Sequence, residues 1–175
     1  MKYKITRRQV LKALRTEPLK AGNWVHFSGL KDLPEGAAYY DDRKLREYRK
    51  PATAKCKVCA VGAVLRGSLG DKITLGQIQD FGDNDMIGAC MVGDTPYASS
   101  DAYSIKEAKE VAEEVLKRYK NPLIGLSNYF ETLYYNIYDL ESATPRQIGS
   151  KMKAIRLELA KFVKKNFPKS IRVDI

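Results

Sequence analysis

Apolar side chains recur at helical spacing near the start of the chain. Val10, Leu11 and Leu14 share one stripe of a segment that Thr6 can cap and Pro18 stops, which predicts a first helix through about Arg15. Gly22-Asn23-Trp24-Val25-His26-Phe27 reads as a turn and a short strand, since Trp, Val and Phe suit a pleated surface. Gly29, Pro34 and Gly36 mark residues 28–40 as loop, Asp41 to Lys50 is a charged, amphipathic stretch ended by Pro51 that reads either as a short exposed helix or as a mobile segment, and residues 28–55 together are expected to be a long loop. Cys56 to Leu65 is the most apolar run and predicts a buried helix, in which Ala60, Gly62 and Ala63 let a neighbour pack close. Thr74-x-x-Gln77 is a capping box opening a short helix with Ile78 and Phe81. Residues 82–103, rich in Gly and Asp, predict a second long loop, of a length that is often functional in a compact domain.

The C-terminal third has sharper punctuation. Ser104-x-x-Glu107 predicts a helix to about Tyr119. Asn121-Pro122 supplies an N-cap and a proline at the first helical position, ahead of Leu123, Leu126, Tyr129, Phe130 and Leu133. Thr144-Pro145-x-Gln147 repeats that grammar for a helix ending near Lys165 or Asn166, before Pro168. On a helical wheel Ile148, Met152, Ile155, Leu159, Phe162 and Val163 fall within an arc of about 100°. Arg146, Lys153, Arg156, Lys161, Lys164 and Lys165 lie outside that arc. Residues 170–175 alternate and predict a final strand, expected to pair with residues 23–27. The fold expected is a helix-rich α+β domain spanning 1–175, with about six helices, a small sheet and a single core.

Composition narrows the class. The 175 residues are 44% apolar and 30% charged, as in soluble globular proteins. No apolar run approaches the roughly 20 residues of a membrane span, so no membrane association is expected. The N-terminus has charge but no apolar core after it, which argues against a secretory signal. Three cysteines are an odd number for a disulfide framework, and a cytoplasmic setting is expected. Charge is unevenly spread. Residues 1–58 hold 15 basic and 6 acidic side chains, residues 59–143 hold 7 and 13, and residues 144–175 hold 9 and 2. Either the basic ends form one surface that attracts a polyanion, nucleic acid included, or ends and middle neutralise each other within the fold or between copies in a homo-oligomer.

Candidate chemistry is sparse. Cys56-x-x-Cys59 with Cys90 and the single histidine, His26, makes a Cys3His zinc set on paper, but only one close pair is present. Cys59 near a helix start could serve as a thiolate nucleophile with His26 as its base, making a small hydrolase. Asp83-x-Asp85-x-x-Gly88 with Asp94 follows part of a calcium-loop spacing, and Ile87 breaks it at a ligand position. Tyr129, Phe130, Tyr134, Tyr135 and Tyr138 predict an aromatic seam between helices, with exposed members available to a partner. None of these completes a catalytic constellation, so no cofactor is expected and a non-enzymatic role leads.

Gly22-Asn23-Trp24, Cys56-x-x-Cys59-Ala60-Val61-Gly62-Ala63, Leu126-Ser127-x-x-Phe130-Glu131 and Phe162-Val163-x-x-Asn166-Phe167-Pro168 together resemble a loose group of small uncharacterised phage and prophage proteins. These share a tryptophan, a Cys-Ala-x-Gly-Ala helix and an Asn-Phe-Pro before a terminal strand. The resemblance covers about a quarter of the positions and brings no catalytic residue. It implies a phage-linked protein, in the host cytoplasm, that inhibits or modulates a host protein, a defence component among the options. The surface expected to meet such a partner is Lys153, Arg156, Lys161, Lys164 and Lys165, all held away from the apolar stripe.

Overall fold

The computed structural model describes residues 1–22, 49–53, 57–81 and 102–175, together with the backbone of 25–26. The chain is a helix-rich α+β protein, with six α-helices and two small antiparallel strand pairs among the described residues. The long loops expected at 28–55 and 82–103 fall mostly outside the described residues. Arg49–Thr53 is described, and there Ala52 is buried with its N–H on the Ile73 carbonyl at 2.9 Å.

Strand β1 (Lys2–Thr6) runs directly into helix α1 (Arg7–Thr16). Thr6 ends the strand and caps the helix, because its extended backbone frees the side chain to accept from Gln9 N–H while the Gln9 side chain accepts from Thr6 N–H at 2.9 Å. Strand β4 (Ser170–Asp174) pairs with β1, from Lys2↔Asp174 to Thr6↔Ser170. The final strand is thus confirmed, but its expected partner at 23–27 is not. Tyr3 and Ile5 stand opposite Val173 and Ile171, so both strands turn their apolar positions to the same side, where Ile5, Ile171 and Val173 are buried. Strand β2 (Val25–His26) pairs instead with β3 (Lys57–Val58).

The predicted helix over 56–65 also needs correcting. Val58 is in a strand, because its N–H and C=O are taken by the Pro18 carbonyl and the Lys20 N–H, at 3.0 and 2.9 Å. Helix α2 starts only at Ala60 and runs to Leu69, with Cys59 as its N-cap. It is buried on nearly every side, and Gly67 meets α1 so closely that an added Cβ would lie 2.6 Å from Ala13 Cβ. A 3₁₀ turn at Gly70–Lys72 leads to α3 (Leu75–Asp80), opened by the predicted Thr74–Gln77 box.

Helix α4 (Ile105–Tyr119) is capped by Ser104, and Glu107 reaches back to the Tyr103 N–H at 3.0 Å. Helix α5 (Pro122–Thr132) begins at Asn121 as expected and continues into a π-helical turn, Leu133–Ile137. It is the central helix, and every residue from Leu123 to Leu133 is buried. At Gly125 it presses on Ala112 and Leu116 of α4. Helix α6 (Pro145–Asn166) lays Ile155, Leu159, Phe162 and Val163 on that core. Ile148, placed by the wheel on the same stripe, is 40% exposed, because Thr144–Ser150 lie beyond the body that the stripe covers. The buried apolar residues of all these elements form one cluster. None of the helices among the described residues is long and apolar enough to cross a membrane.

Candidate surface for an anionic partner

The two basic ends of the chain meet. Strands β1 and β4 pair, and α1 packs on α6, so residues 1–20 and 144–175 form one module. It holds sixteen basic and three acidic side chains. All three acids are already engaged. Glu17 binds Arg66 at 2.6 Å, Glu158 binds Lys161 at 2.7 Å, and Asp174 meets the Met1 ammonium at 3.1 Å. Most of the positive charge is left facing solvent.

Local structure sets which cations are available. On α1, Arg8, Lys12 and Arg15 are exposed at helical spacing, while Val10, Ala13 and Leu14 face inward. On α6, Arg146, Lys153, Lys161 and Lys164 fall on the outward face around Leu157, which is 58% exposed. Across the strand pair, exposed Lys4 stands directly opposite exposed Arg172, a like-charge pairing that costs stability in a sheet.

The five α6 residues expected to bind a partner divide into three kinds. Lys153 and Lys164 are exposed and form no ion pair among the described residues. Lys161 and Lys165 are exposed but tethered, to Glu158 at 2.7 Å and to Glu113 at 2.8 Å. Arg156 does not share their surface. Its guanidinium is half-buried, donating Nη1 to the Leu14 carbonyl and Nη2 to the Glu17 carbonyl at 2.8 Å. The wheel placed it off the apolar stripe correctly, yet α1 covers that flank of the helix. The sequence reading missed the contribution of α1. Its signal was present, as a ten-residue helix with four basic side chains and no acid.

The thiol candidate is built differently from a nucleophile. Cys59 is buried at 2% exposure, and its sulfur accepts the Gly62 N–H at 3.3 Å, the ordinary work of an N-cap. Burial pushes the thiol up to about 12, an effect the Gly62 N–H only partly offsets, so the reactive thiolate is not formed near neutrality. The strand register sets His26 opposite Lys57, on the other side of Val58 from Cys59. Cys56, Cys90, the His26 side chain and the Asp83–Asp94 loop lie outside the described residues. Among the described residues no three His, Cys, Asp or Glu side chains gather as a metal site would require.

The aromatic run packs as a seam. Tyr129 stacks on Phe162 with centroids 5.0 Å apart and donates its hydroxyl to Glu158 at 3.2 Å. Phe130, Tyr134 and Tyr135 follow in edge-to-face steps. Beside the seam lies a group that the sequence reading named only as part of a shared motif and not as a site, the carboxyl of Glu131. It is 6% exposed and accepts the Gly22 N–H at 3.3 Å. Burial raises its pKa to about 7.

No protein-family model matches the chain, and neither a curated protein nor a solved structure matches it.

Proposed function

We propose that this protein is a non-catalytic binding protein that holds an acidic partner protein on the joined surface of α1 and α6. The observation that carries the reading is the convergence of both chain ends into one module whose three acids are each already engaged in an ion pair. A positive field of this kind steers and orients an anionic partner. Leu157 favours a protein over a nucleic acid. A large apolar side chain ringed by Lys153, Lys161 and Lys164 offers an anchor that a phosphate backbone leaves unburied. The phage resemblance accords with a host protein as that partner and with inhibition or modulation as the outcome. The module's charge supports a second reading, nucleic-acid binding on the same face.

Salt separates the two readings. Titration with duplex DNA and with an acidic polypeptide carrying leucines should show the polypeptide bound with an affinity that drops on Leu157→Ser. Binding to DNA alone, with log K falling at about −0.9 per phosphate contact against log salt and no response to Leu157→Ser, would establish the nucleic-acid reading instead.

A further inference from the structure

Among the described residues no strand pairs with the outer edge of β4. Met1 and Ile175 exchange both backbone hydrogen bonds, and Arg7 N–H reaches the Lys169 carbonyl at 2.9 Å. In an antiparallel ladder this phase makes Tyr3–Val173 and Ile5–Ile171 the hydrogen-bonded pairs. Lys4–Arg172 and Lys2–Asp174 are then the alternate pairs, whose N–H and C=O groups point away from the partner strand. On β4 those groups form no bond to another described residue.

The same edge borders a groove of about 570 Å³. Its opposite wall is the junction of α4 and α5 with Phe81. Tyr119 and Pro122, both part-exposed, give it apolar surface, and Lys120 and Arg172 give it positive charge. Lys120 adopts φ 50°, a left-handed conformation that ends α4 and turns the chain at once into α5. The one acid in the lining among the described residues, Asp174, is paired with the Met1 ammonium at 3.1 Å. A strand edge whose donors and acceptors meet no other described residue, an apolar wall and two cations together describe a receptor for extended backbone with acidic side chains.

We propose that the outer edge of β4 takes an extended peptide segment of a partner protein as a third strand. Main-chain bonds run to Arg172 and Asp174, an apolar side chain lies toward Tyr119 and Pro122, and an acidic one lies by Lys120 and Arg172. This surface is separate from the outward face of α6 and does not depend on the reading of that face.

The test uses the full chain and a fluorescent nonapeptide of alternating Val and Glu, its Val and Lys counterpart, and a series of the first peptide carrying one backbone N-methyl group at each position. The Val–Glu peptide is expected to bind at least tenfold more tightly than the Val–Lys one, with N-methylation weakening it at every second position. Hydrogen exchange should slow at the Arg172 and Asp174 amides when it binds. Arg172→Pro removes an outward N–H while sparing the ladder to β1, and should reduce binding at least tenfold. If that variant unfolds, the N-methyl series still decides. Failure of the Val–Glu peptide to bind at millimolar concentration, N-methyl effects without a two-residue period, or protection confined to other segments would overturn the proposal. So would self-association of the chain through this edge that the peptide does not compete. A Lys153/Lys161/Lys164→Glu variant should bind the peptide as the parent does, which keeps the two surfaces experimentally distinct.

Discussion

Arg7 and Arg156 close the ends of each other's helices. Arg7, at the start of α1, donates to the Lys164 and Phe167 carbonyls at the end of α6, at 3.4 and 3.3 Å. Arg156, midway along α6, donates to the Leu14 and Glu17 carbonyls at the end of α1. The helices therefore run antiparallel, and each guanidinium sits where a helix leaves carbonyls without an intrahelical partner and where its dipole favours a cation. Two basic residues are spent on joining the chain ends, and the cations around them are left for solvent.

Arg156 should consequently behave unlike its neighbours. Arg156→Gln is expected to cost about 2 kcal/mol, because the carbonyls of a half-buried helix end lose charged donors. Lys153→Gln should stay within about 0.5 kcal/mol, as exposed changes do. Urea unfolding of the two variants checks this, and equal stabilities would mean that the Arg156 contacts contribute nothing net.

The face itself is tested with Arg156 left intact. Lys153, Lys161 and Lys164 replaced together by Glu should abolish the Leu157-dependent part of binding to the acidic polypeptide while circular dichroism and the unfolding midpoint change little. Adding Leu157→Ser to the parent alone should weaken binding by tenfold or more without altering its salt slope. Undiminished binding in the triple variant would move the working surface elsewhere.

Glu131 predicts a pH dependence of definite sign. Its carboxyl rises from an ordinary value of 4.5 to about 7 in the folded protein, so between those values the folded chain holds a proton that the unfolded chain has lost. Stability therefore falls as pH rises through that window, by roughly 3 kcal/mol in all at about 1.4 kcal/mol for each pH unit crossed, and levels off above pH 7. Glu131→Gln should remove this slope and be more stable than the parent at pH 8. Chemical denaturation at pH 5 and pH 8 measures both, and parallel pH profiles for parent and variant would contradict it.

Gly125→Ala should destabilise by about 1–3 kcal/mol, the usual cost of overpacking. Its Cβ would stand 2.7 Å from Leu116 Cβ and 2.9 Å from the Ala112 carbonyl, so α4 and α5 must separate. Gly149→Ala on α6 meets nothing within 4 Å and should stabilise slightly through helix propensity, which makes it the matched control in a thermal melt.

Cys59 should resist alkylation in the folded protein. With its thiol buried and pushed up to about 12, iodoacetamide at pH 8 is expected to leave Cys59 unmodified until denaturant is added, as read by peptide mass mapping. Rapid native labelling of Cys59 would reopen the nucleophile reading.

Much of the helical framework was legible in the sequence because caps are local. Thr6, Thr74, Ser104, Asn121 and Thr144 each act within three residues of themselves, through contacts that a helix start brings about wherever it occurs. The apolar stripes of α5 and α6 follow from the same short-range periodicity. What the sequence could not determine depends on pairs far apart along it. Lys2–Thr6 becomes a strand because Ser170–Asp174 offers it a matching face. Val58 leaves the predicted helix because Pro18 and Lys20 take its backbone groups. Arg156 is drawn out of the basic face because α1 ends beside it, and Glu131 is buried by neighbours its own helix does not supply. The charge at the chain ends was countable in advance, but only the pairing of β1 with β4 and of α1 with α6 turned two basic segments into one surface, since hydrogen-bond register and side-chain burial between distant segments are settled by packing and not by local pattern.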